Sequence, residues 1–226
     1  MLENKAYQWR PARVVKNSAA AHNMISLVLR PDTWIAHRAG QHYEIRLARG
    51  ELSRKYSVAA SSADEGTLEF GVQILPTGMV SPRLAQARAG DALEIRGPLG
   101  EAFLWTPAQD GPMVLLGAGS GVTPLLEMHA AYTRHNPAGA CSFLVSAKTP
   151  EHIFCYHRFK RFLTARFTAT APRIDKSYLK ESVGSLTDHP ETRAWICGPP
   201  RFIDAMVDSM LELGLSEDRV RSETYL

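Results

Sequence analysis

The run Met113-Val114-Leu115-Leu116-Gly117-Ala118-Gly119-Ser120-Gly121-Val122-Thr123-Pro124 divides this 226-residue chain into two kinds of sequence. Four consecutive apolar residues without polar alternation mark a strand buried on both faces. Glycines at 117, 119 and 121 follow at once, and then Leu125, Leu126, Met128 and Ala131 recur at helical spacing. A buried strand, a glycine-rich turn and a helix start together form a phosphate-binding βα unit, because the first amides of the helix are left free to face an anion.

Downstream the same grammar repeats. Cys141 to Ser146 reads as a second buried strand, Pro150 to Leu163 as a helix, and Phe167 to Ala171 as a third strand. Residues 172–192 read as irregular with room for a short helix. Ala194-Trp195-Ile196-Cys197 is a fourth strand that stops at Gly198-Pro199-Pro200. The helix over 201–213 carries Phe202, Ile203, Met206, Val207, Met210 and Leu211 on one stripe and ends at Gly214. Strands alternating with helices predict a parallel sheet.

Upstream the period is two rather than 3.6. Ala12 to Val15, Met24 to Leu29, Gln41 to Leu47, Leu52 to Ala60, Thr67 to Ile74 and Ala92 to Arg96 are short alternating segments with turn residues between them. That spacing predicts a small antiparallel barrel. Thr106 to Gly111 is the best linker, so the expected domains are 1–108 and 109–226. Between the strands, Gly78-Met79-Val80-Ser81-Pro82 reads as a helix start, with Ser81 as N-cap and Pro82 at the first helical position. A helix start behind a glycine is a ready anion site, though a plain capped helix reads the same way.

Within the barrel half, Arg54-Lys55-Tyr56-Ser57 sets a cation, an aromatic ring and a hydroxyl on one strand. In an extended segment Arg54 and Tyr56 point one way, and Lys55 and Ser57 the other. Arginine presents a fork of donors suited to a pyrophosphate. Tyrosine offers a flat face for a ring system, and a hydroxyl can bond a heteroaromatic nitrogen. Together they could hold a flavin nucleotide; taken alone, the four residues also fit a half-exposed strand.

Composition narrows the function classes. Apolar residues make up 45% and charged residues 22% of the chain, ordinary values for a globular protein. The net charge is +3, with 13 basic and 10 acidic residues in 1–109 against 13 and 13 in 110–226. That is too mild for a dedicated nucleic-acid binder, whereas a basic barrel half suits docking of an acidic protein. Cys141, Cys155 and Cys197 are odd in number and form no CxxC pair, which supports neither a disulfide framework nor a cysteine-ligated cluster. The eight histidines show no ligand spacing, so no metal site is expected. The polar start lacks an apolar signal segment and no run is long enough to span a bilayer, so a cytoplasmic location is expected.

Taken in order, these motifs resemble the ferredoxin–NADP reductase superfamily, from about residue 10 to the C-terminus. The resemblance rests on Arg54-x-Tyr56-Ser57, Gly78-x-x-Ser81, Gly97-Pro98-x-Gly100, the loop 117–124, Cys197-Gly198-Pro199 and Glu223-x-Tyr225. It implies a flavin-binding antiparallel barrel followed by a Rossmann-like nicotinamide-nucleotide domain. Arg54 would bind the FAD pyrophosphate, with Lys55 beside it on the same strand. Tyr56 would stack on the isoalloxazine, and Ser57 would bond near its N5. The amides of Gly78, Met79, Val80 and Ser81 would hold the pyrophosphate. Gly117, Gly119, Ser120, Gly121, Thr123 and Pro124 would cradle the coenzyme. Cys197, with Gly198 and Pro199, would sit against the nicotinamide, and Tyr225 against the flavin, although Leu226 follows it here. Ser57, Cys197 and Glu223 are the catalytic candidates.

Near the end of the second parallel strand, Ser146 and Lys148 stand where an adenosine ribose is expected, with no acid before Glu151. NADPH is favoured over NADH on that ground, with His157 and Arg158 as possible helpers. The implied activity is hydride transfer from NAD(P)H to FAD, then electron delivery to a ferredoxin, a flavodoxin or an oxygenase component. A diaphorase or flavin reductase acting on small molecules is the alternative, and a non-turnover flavin-binding subunit is a third reading. Candidates for a basic docking face are Arg10, Arg13, Lys16, Arg38, Lys55, Arg83 and Arg88.

Overall fold

The structure is a computed structural model and describes residues 6–167 and 174–224. Six strands close an antiparallel barrel: β1 (Arg10–Ala21), β2 (Met24–Pro31), β3 (His42–Arg46), β4 (Arg54–Ser62), β5 (Thr67–Gln73) and β6 (Ala92–Leu99), in the order β1-β2-β5-β4-β3-β6. Alternation drives the closure. In β3, Tyr43 and Ile45 are fully buried while His42, Glu44 and Arg46 between them are half-exposed. Tyr43, Ile45, Val58, Phe70, Leu27, Leu29 and Ile95 fill the barrel core.

A four-residue helix, α1 (Ser81–Leu84), closes one end of the barrel. Here the expected cap is corrected. Val80, not Ser81, precedes the helix, and the Ser81 hydroxyl turns back to accept a hydrogen bond from the Leu75 amide at 3.0 Å. Ser81 thus ties the turn at Gly78 to the end of β5 instead of capping a helix.

The second half is a five-stranded parallel sheet: β7 (Met113–Ala118), β8 (Cys141–Ala147), β9 (Thr164–Phe167), β10 (Arg193–Gly198) and β11 (Val220–Thr224), in the order β11-β10-β7-β8-β9. β7 is buried along its whole length, as its unbroken apolar run requires. The helices are α2 (Val122–His135), α3 (Tyr156–Phe159), α4 (Lys176–Thr187) and α5 (Pro200–Glu212). One face of the sheet packs against α2 and continues into barrel residues Met24, Ala39 and Ala59. The other face packs against α4 and α5. The two halves therefore share a core cluster instead of meeting through a polar seam.

Four local expectations change. The helix expected over Pro150 to Leu163 is broken into a 3-10 turn at Pro150–His152 and the single turn α3. The cause is tertiary. The Cys155 amide bonds to the Ala20 carbonyl at 3.0 Å and the His22 amide to the Glu151 carbonyl at 2.6 Å, so the β1–β2 hairpin pins this loop. Cys155 consequently takes a left-handed φ of 48°. Residues 172–192, expected to be largely irregular, contain the 12-residue α4, capped by Asp175, whose carboxylate accepts from the Tyr178 amide at 2.9 Å. The third strand lies at Thr164–Phe167, and residues 168–171 of the expected segment fall outside the described residues. β11, unforeseen, pairs in parallel with β10 and sets Glu223 opposite Cys197.

Candidate functional site

A cleft of about 410 Å³ opens between the barrel and the parallel sheet. Its barrel wall is made by Arg54, Lys55, Tyr56 and Ser57 of β4, by Gly71 and Gln73 of β5 with Leu75 just beyond it, and by the turn Gly78-Met79-Val80-Ser81. Its other wall is Ala118, Gly119, Ser120 and Thr123 after β7, and Gly198 and Pro199 after β10. Parallel strands expose their carboxyl ends to ligands, and here two such ends face one barrel strand pair.

Glycine makes this approach possible. A Cβ on Gly71 would lie 2.6 Å from Thr123 Oγ1, so β5 and the start of α2 come together only because residue 71 has no side chain. Gly119 has a left-handed φ of 59° and open space where a side chain would stand. At Gly121 an added Cβ would lie 2.3 Å from the Cys197 carbonyl oxygen. The glycine-rich loop and the end of β10 are thus packed backbone to backbone.

The positions of the sequence-based candidates separate into layers. Thirteen of them line the cleft: Arg54, Lys55, Tyr56, Ser57, Gly78, Met79, Val80, Ser81, Gly119, Ser120, Thr123, Gly198 and Pro199. Gly117, Gly121, Pro124 and Cys197 stand behind that surface. Cys197 is fully buried and its carbonyl is covered by Gly121. Ser146 is buried at the end of β8 and Lys148 is exposed beyond it; neither lines the cleft. Arg158 is turned to the barrel, where its guanidinium bonds both oxygens of Glu69 at 2.7 and 3.0 Å. Tyr225 lies outside the described residues.

Glu223 opens on a second cavity of about 380 Å³, shared with His42, Glu44, Ser53, Arg54, Lys55, Ser57 and Thr224. Ser57, 3% exposed, thus borders both cavities. Gly71, Gln73 and Leu75 on one side, and His42 on the other, went unnoticed in the sequence. A signal for the first group existed: Gly71 and Gln73 recur at i and i+2 on β5, and Leu75 keeps the same spacing just past its end.

Burial sets the electrostatics. It pushes the Tyr56 hydroxyl up to about 12, with Arg54 opposing, so the phenol stays neutral. It raises the Glu223 carboxyl to about 7, against the pull of Lys55, and Glu223 Oε2 is buried without a hydrogen-bond partner. The Thr123 hydroxyl at the cleft is likewise buried without a partner. A neutral ring, an orphaned hydroxyl and closely approaching backbone suit a flat heteroaromatic group with a phosphate tail, and the residues present therefore fit FAD. Among the described residues no cluster of His, Cys, Asp or Glu could hold a metal ion. No described helix is long and apolar enough to cross a membrane.

The candidates for a basic face divide: Arg13, Lys16, Lys55 and Arg88 are exposed, whereas Arg10 is buried and Arg38 and Arg83 are paired with carboxylates. Arg10 is 9% exposed and donates to the Gly97 carbonyl at 2.7 Å; Arg13 donates to the Gly90 carbonyl. Arg38 pairs with Glu101 and Arg83 with Glu51. Lys55 borders the two cavities.

Comparison with known proteins agrees with this architecture. Residues 11–104 match an oxidoreductase FAD-binding domain, and residues 115–208 an oxidoreductase NAD-binding domain. An aromatic O-demethylase reductase subunit from Amycolatopsis is 26% identical, covering 84% of this chain and 61% of that protein. A flavohemoprotein from Chromobacterium violaceum is 29% identical, covering 96% of this chain and 60% of that protein. The chain thus spans about three-fifths of the length of these relatives. A solved ferredoxin reductase in carbazole 1,9a-dioxygenase superposes with a TM-score of 0.82 at 22% identity, covering 97% of this chain and 70% of that one. A barrel that matches an oxidoreductase FAD-binding domain, a glycine-rich βα turn facing its cleft, and a parallel sheet that matches an oxidoreductase NAD-binding domain make this chain an FAD- and NAD-binding oxidoreductase with the two-domain fold of ferredoxin reductases.

Proposed function

We propose that this chain takes hydride from NAD(P)H onto FAD and passes the electrons to a protein acceptor, either an acidic carrier such as a ferredoxin or flavodoxin, or an oxygenase component. Residues 1–108 form the flavin half and residues 109–226 the coenzyme half. The observation that carries this reading is the single cleft walled by Arg54–Ser57 on one side and by Gly119–Thr123 with Gly198–Pro199 on the other. The flavin, once bound, supplies a two-electron acceptor that can release electrons one at a time.

The chain's own residues bind, orient and exclude water. Arg54 and the amides at Gly78 to Ser81 would hold the pyrophosphate. Tyr56, kept neutral by burial, would cover a ring face without adding charge. Ser57 would fix the ring edge by a hydrogen bond, and the loop 117–123 would bring the nicotinamide over it. Holding two rings at reacting distance converts a bimolecular step into an effectively unimolecular one. Cys197, fully buried behind Gly121, acts by setting the position of that loop.

NADPH is the favoured coenzyme, because no carboxylate stands at the end of β8 to repel a 2′-phosphate and Lys148 is exposed there. Arg158 contributes nothing to this choice while Glu69 holds it. The test is anaerobic bleaching of the flavin by each coenzyme, followed by reduction of a panel of ferredoxins, flavodoxins and ferricyanide. Bleaching by both coenzymes with a higher kcat/KM for NADPH supports the reading. If no protein carrier is reduced faster than ferricyanide or free flavin, the chain is a diaphorase instead. A flavin that neither coenzyme bleaches overturns the enzymatic reading.

A further inference from the structure

The helix α2 begins at the cleft, directly after the glycine-rich loop. Whatever holds α2 against the barrel therefore also sets how far loop 117–123 stands from β4. The helix meets the barrel at Thr123, Glu127 and Met128. Thr123, in the first turn, stands against Gly71 of β5, which has no side chain to keep the two apart. Met128 reaches Gly40, in the segment between β2 and β3, where an added Cβ would lie 2.5 Å from Met128 Cε. Glu127 lies one turn beyond Thr123, on the same helix face.

Glu127 is 6% exposed. Its Oε1 accepts a hydrogen bond from the Ser61 hydroxyl of β4 at 2.9 Å and lies 3.3 Å from Nε2 of His37. His37 comes from the same β2–β3 segment as Gly40 and is itself buried, edge-on to Trp34 and Tyr43. A glutamate is rarely buried unless something holds it. The cluster that joins α2 to Met24, Ala39 and Ala59 is otherwise apolar, so an apolar residue at 127 would seal the junction as well. It would not fix it. Apolar burial is non-directional and methionine adapts to its surroundings, whereas a hydrogen bond demands a distance and an angle. Thr123, nearer the cleft, supplies no such bond, because its hydroxyl is buried without a partner.

We propose that Glu127, held by Ser61 and His37, is a positioning residue for hydride transfer, fixing the register of α2 on the barrel and with it the distance from the coenzyme loop to the flavin half. This rests on the reading of the chain as a hydride-accepting flavoenzyme. Glu127 does not line the cleft and acts only through the helix. Gly121 is seated backbone to backbone on the end of β10, so loop, helix and sheet move as one body. A shift at residue 127 is carried to Thr123, about 6 Å away along the helix axis. Hydride transfer is sensitive to such a shift, since a misplacement of about 1 Å can cost about 10²-fold.

The experiment uses the flavin-bound protein with four variants. Glu127→Ala cuts the tie, Glu127→Gln keeps an acceptor for Ser61, and Ser61→Ala removes a single half-buried hydroxyl should Glu127→Ala fail to fold. Leu179→Ala weakens the core on the sheet face away from the barrel. In Glu127→Ala the limiting bleaching rate at saturating coenzyme should fall about 10- to 100-fold. Half-saturation by coenzyme should shift less than about threefold, because the cleft residues are untouched. The long-wavelength charge-transfer absorbance between nicotinamide and flavin should weaken in parallel. Glu127→Gln should recover most of the rate, and Ser61→Ala should fall between the two. Leu179→Ala should melt at lower temperature yet bleach at the parent rate, which separates position from stability. Independently of activity, amides 123–127 of the flavin-free protein should exchange with solvent faster in Glu127→Ala than in the parent. The proposal is overturned if Glu127→Gln is no faster than Glu127→Ala, if Leu179→Ala slows bleaching as much as Glu127→Ala does, or if the flavin-free exchange is unchanged. A parent flavin that neither coenzyme bleaches fails the underlying reading and this proposal with it; a parent that bleaches no faster than Glu127→Ala and Ser61→Ala fails this proposal alone.

Discussion

Gly121→Ala tests the packing of the coenzyme loop against the end of β10. The residue has a φ of −62° and a ψ of −13°, so its backbone is an ordinary helical one that alanine adopts freely. Considered alone, that substitution would stabilise the protein by about 0.4–1 kcal/mol through the unfolded chain. The structure opposes this. The new Cβ would stand 2.3 Å from the Cys197 oxygen, 2.4 Å from its carbonyl carbon and 2.7 Å from the Gly198 nitrogen. All three are backbone atoms, and ordinary contact begins near 3.4 Å, so the loop and the strand must part by about 1 Å. Overpacking of this kind costs about 1–3 kcal/mol, and the upper part of that range applies because no side chain can rotate away. A net loss of about 2 kcal/mol lowers Tm by roughly 4–8 °C in a protein of this size. Gly184→Ala is the control. It lies inside α4, its Cβ would meet only Lys180 Cγ at 3.7 Å, and it should stabilise by about 0.5–1 kcal/mol. Thermal unfolding followed by circular dichroism measures both. Should Gly121→Ala melt at or above the parent temperature while Gly184→Ala rises as expected, the close packing of residues 121 and 197 is wrong, and so is the loop position derived from it.

Glu223 gives a pH signature of its own. Its folded carboxyl titrates at about 7, above the unfolded value of 4.5, so between these limits the folded state holds a proton that the unfolded chain has released. Stability from this group is therefore full below about pH 4.5 and is lost as pH rises through 7. Tm of Glu223→Gln minus that of the parent should grow from pH 5 to pH 8; a flat difference would contradict the burial. Ser57→Ala should keep its flavin, since twelve other candidates line the same cleft, yet slow bleaching in stopped flow at saturating coenzyme. An unchanged rate counts against an orienting hydrogen bond. With Arg10 buried and Arg38 and Arg83 paired with carboxylates, carrier reduction should weaken only modestly from 50 to 500 mM salt, about threefold or less; a steep decline would assign docking to the exposed Arg13, Lys16, Lys55 and Arg88.

What the sequence alone determined was whatever depends on neighbours along the chain. The change from alternating segments to the unbroken run Met113–Leu116 separates an antiparallel barrel from a parallel sheet, because strand burial on one face or two is written directly into hydrophobic period. Glycines at 78, 119 and 121 and the Arg54–Ser57 stretch announced the cleft, since close backbone approach and anion recognition need particular residue types at particular spacing. The helix expected after β8 was lost to contacts that no local pattern contains: Cys155 is held by Ala20, and Glu151 by His22, residues about 130 positions away. The sequence left room for a short helix over 172–192 but did not mark the 12 residues of α4, because its buried apolar residues Leu179 and Val183 are few and Gly184 follows them, whereas its Asp175 cap becomes evident only once Tyr178 is folded over it. Charge placement was only partly legible. Composition counts cations, but only the fold pairs Arg38 with Glu101, Arg83 with Glu51 and Arg158 with Glu69. Tertiary structure likewise decided that Ser57 separates two cavities and that Glu223 and His42, 181 residues apart in the chain, share one of them, because a barrel strand and a parallel strand meet there through the pairing of distant segments.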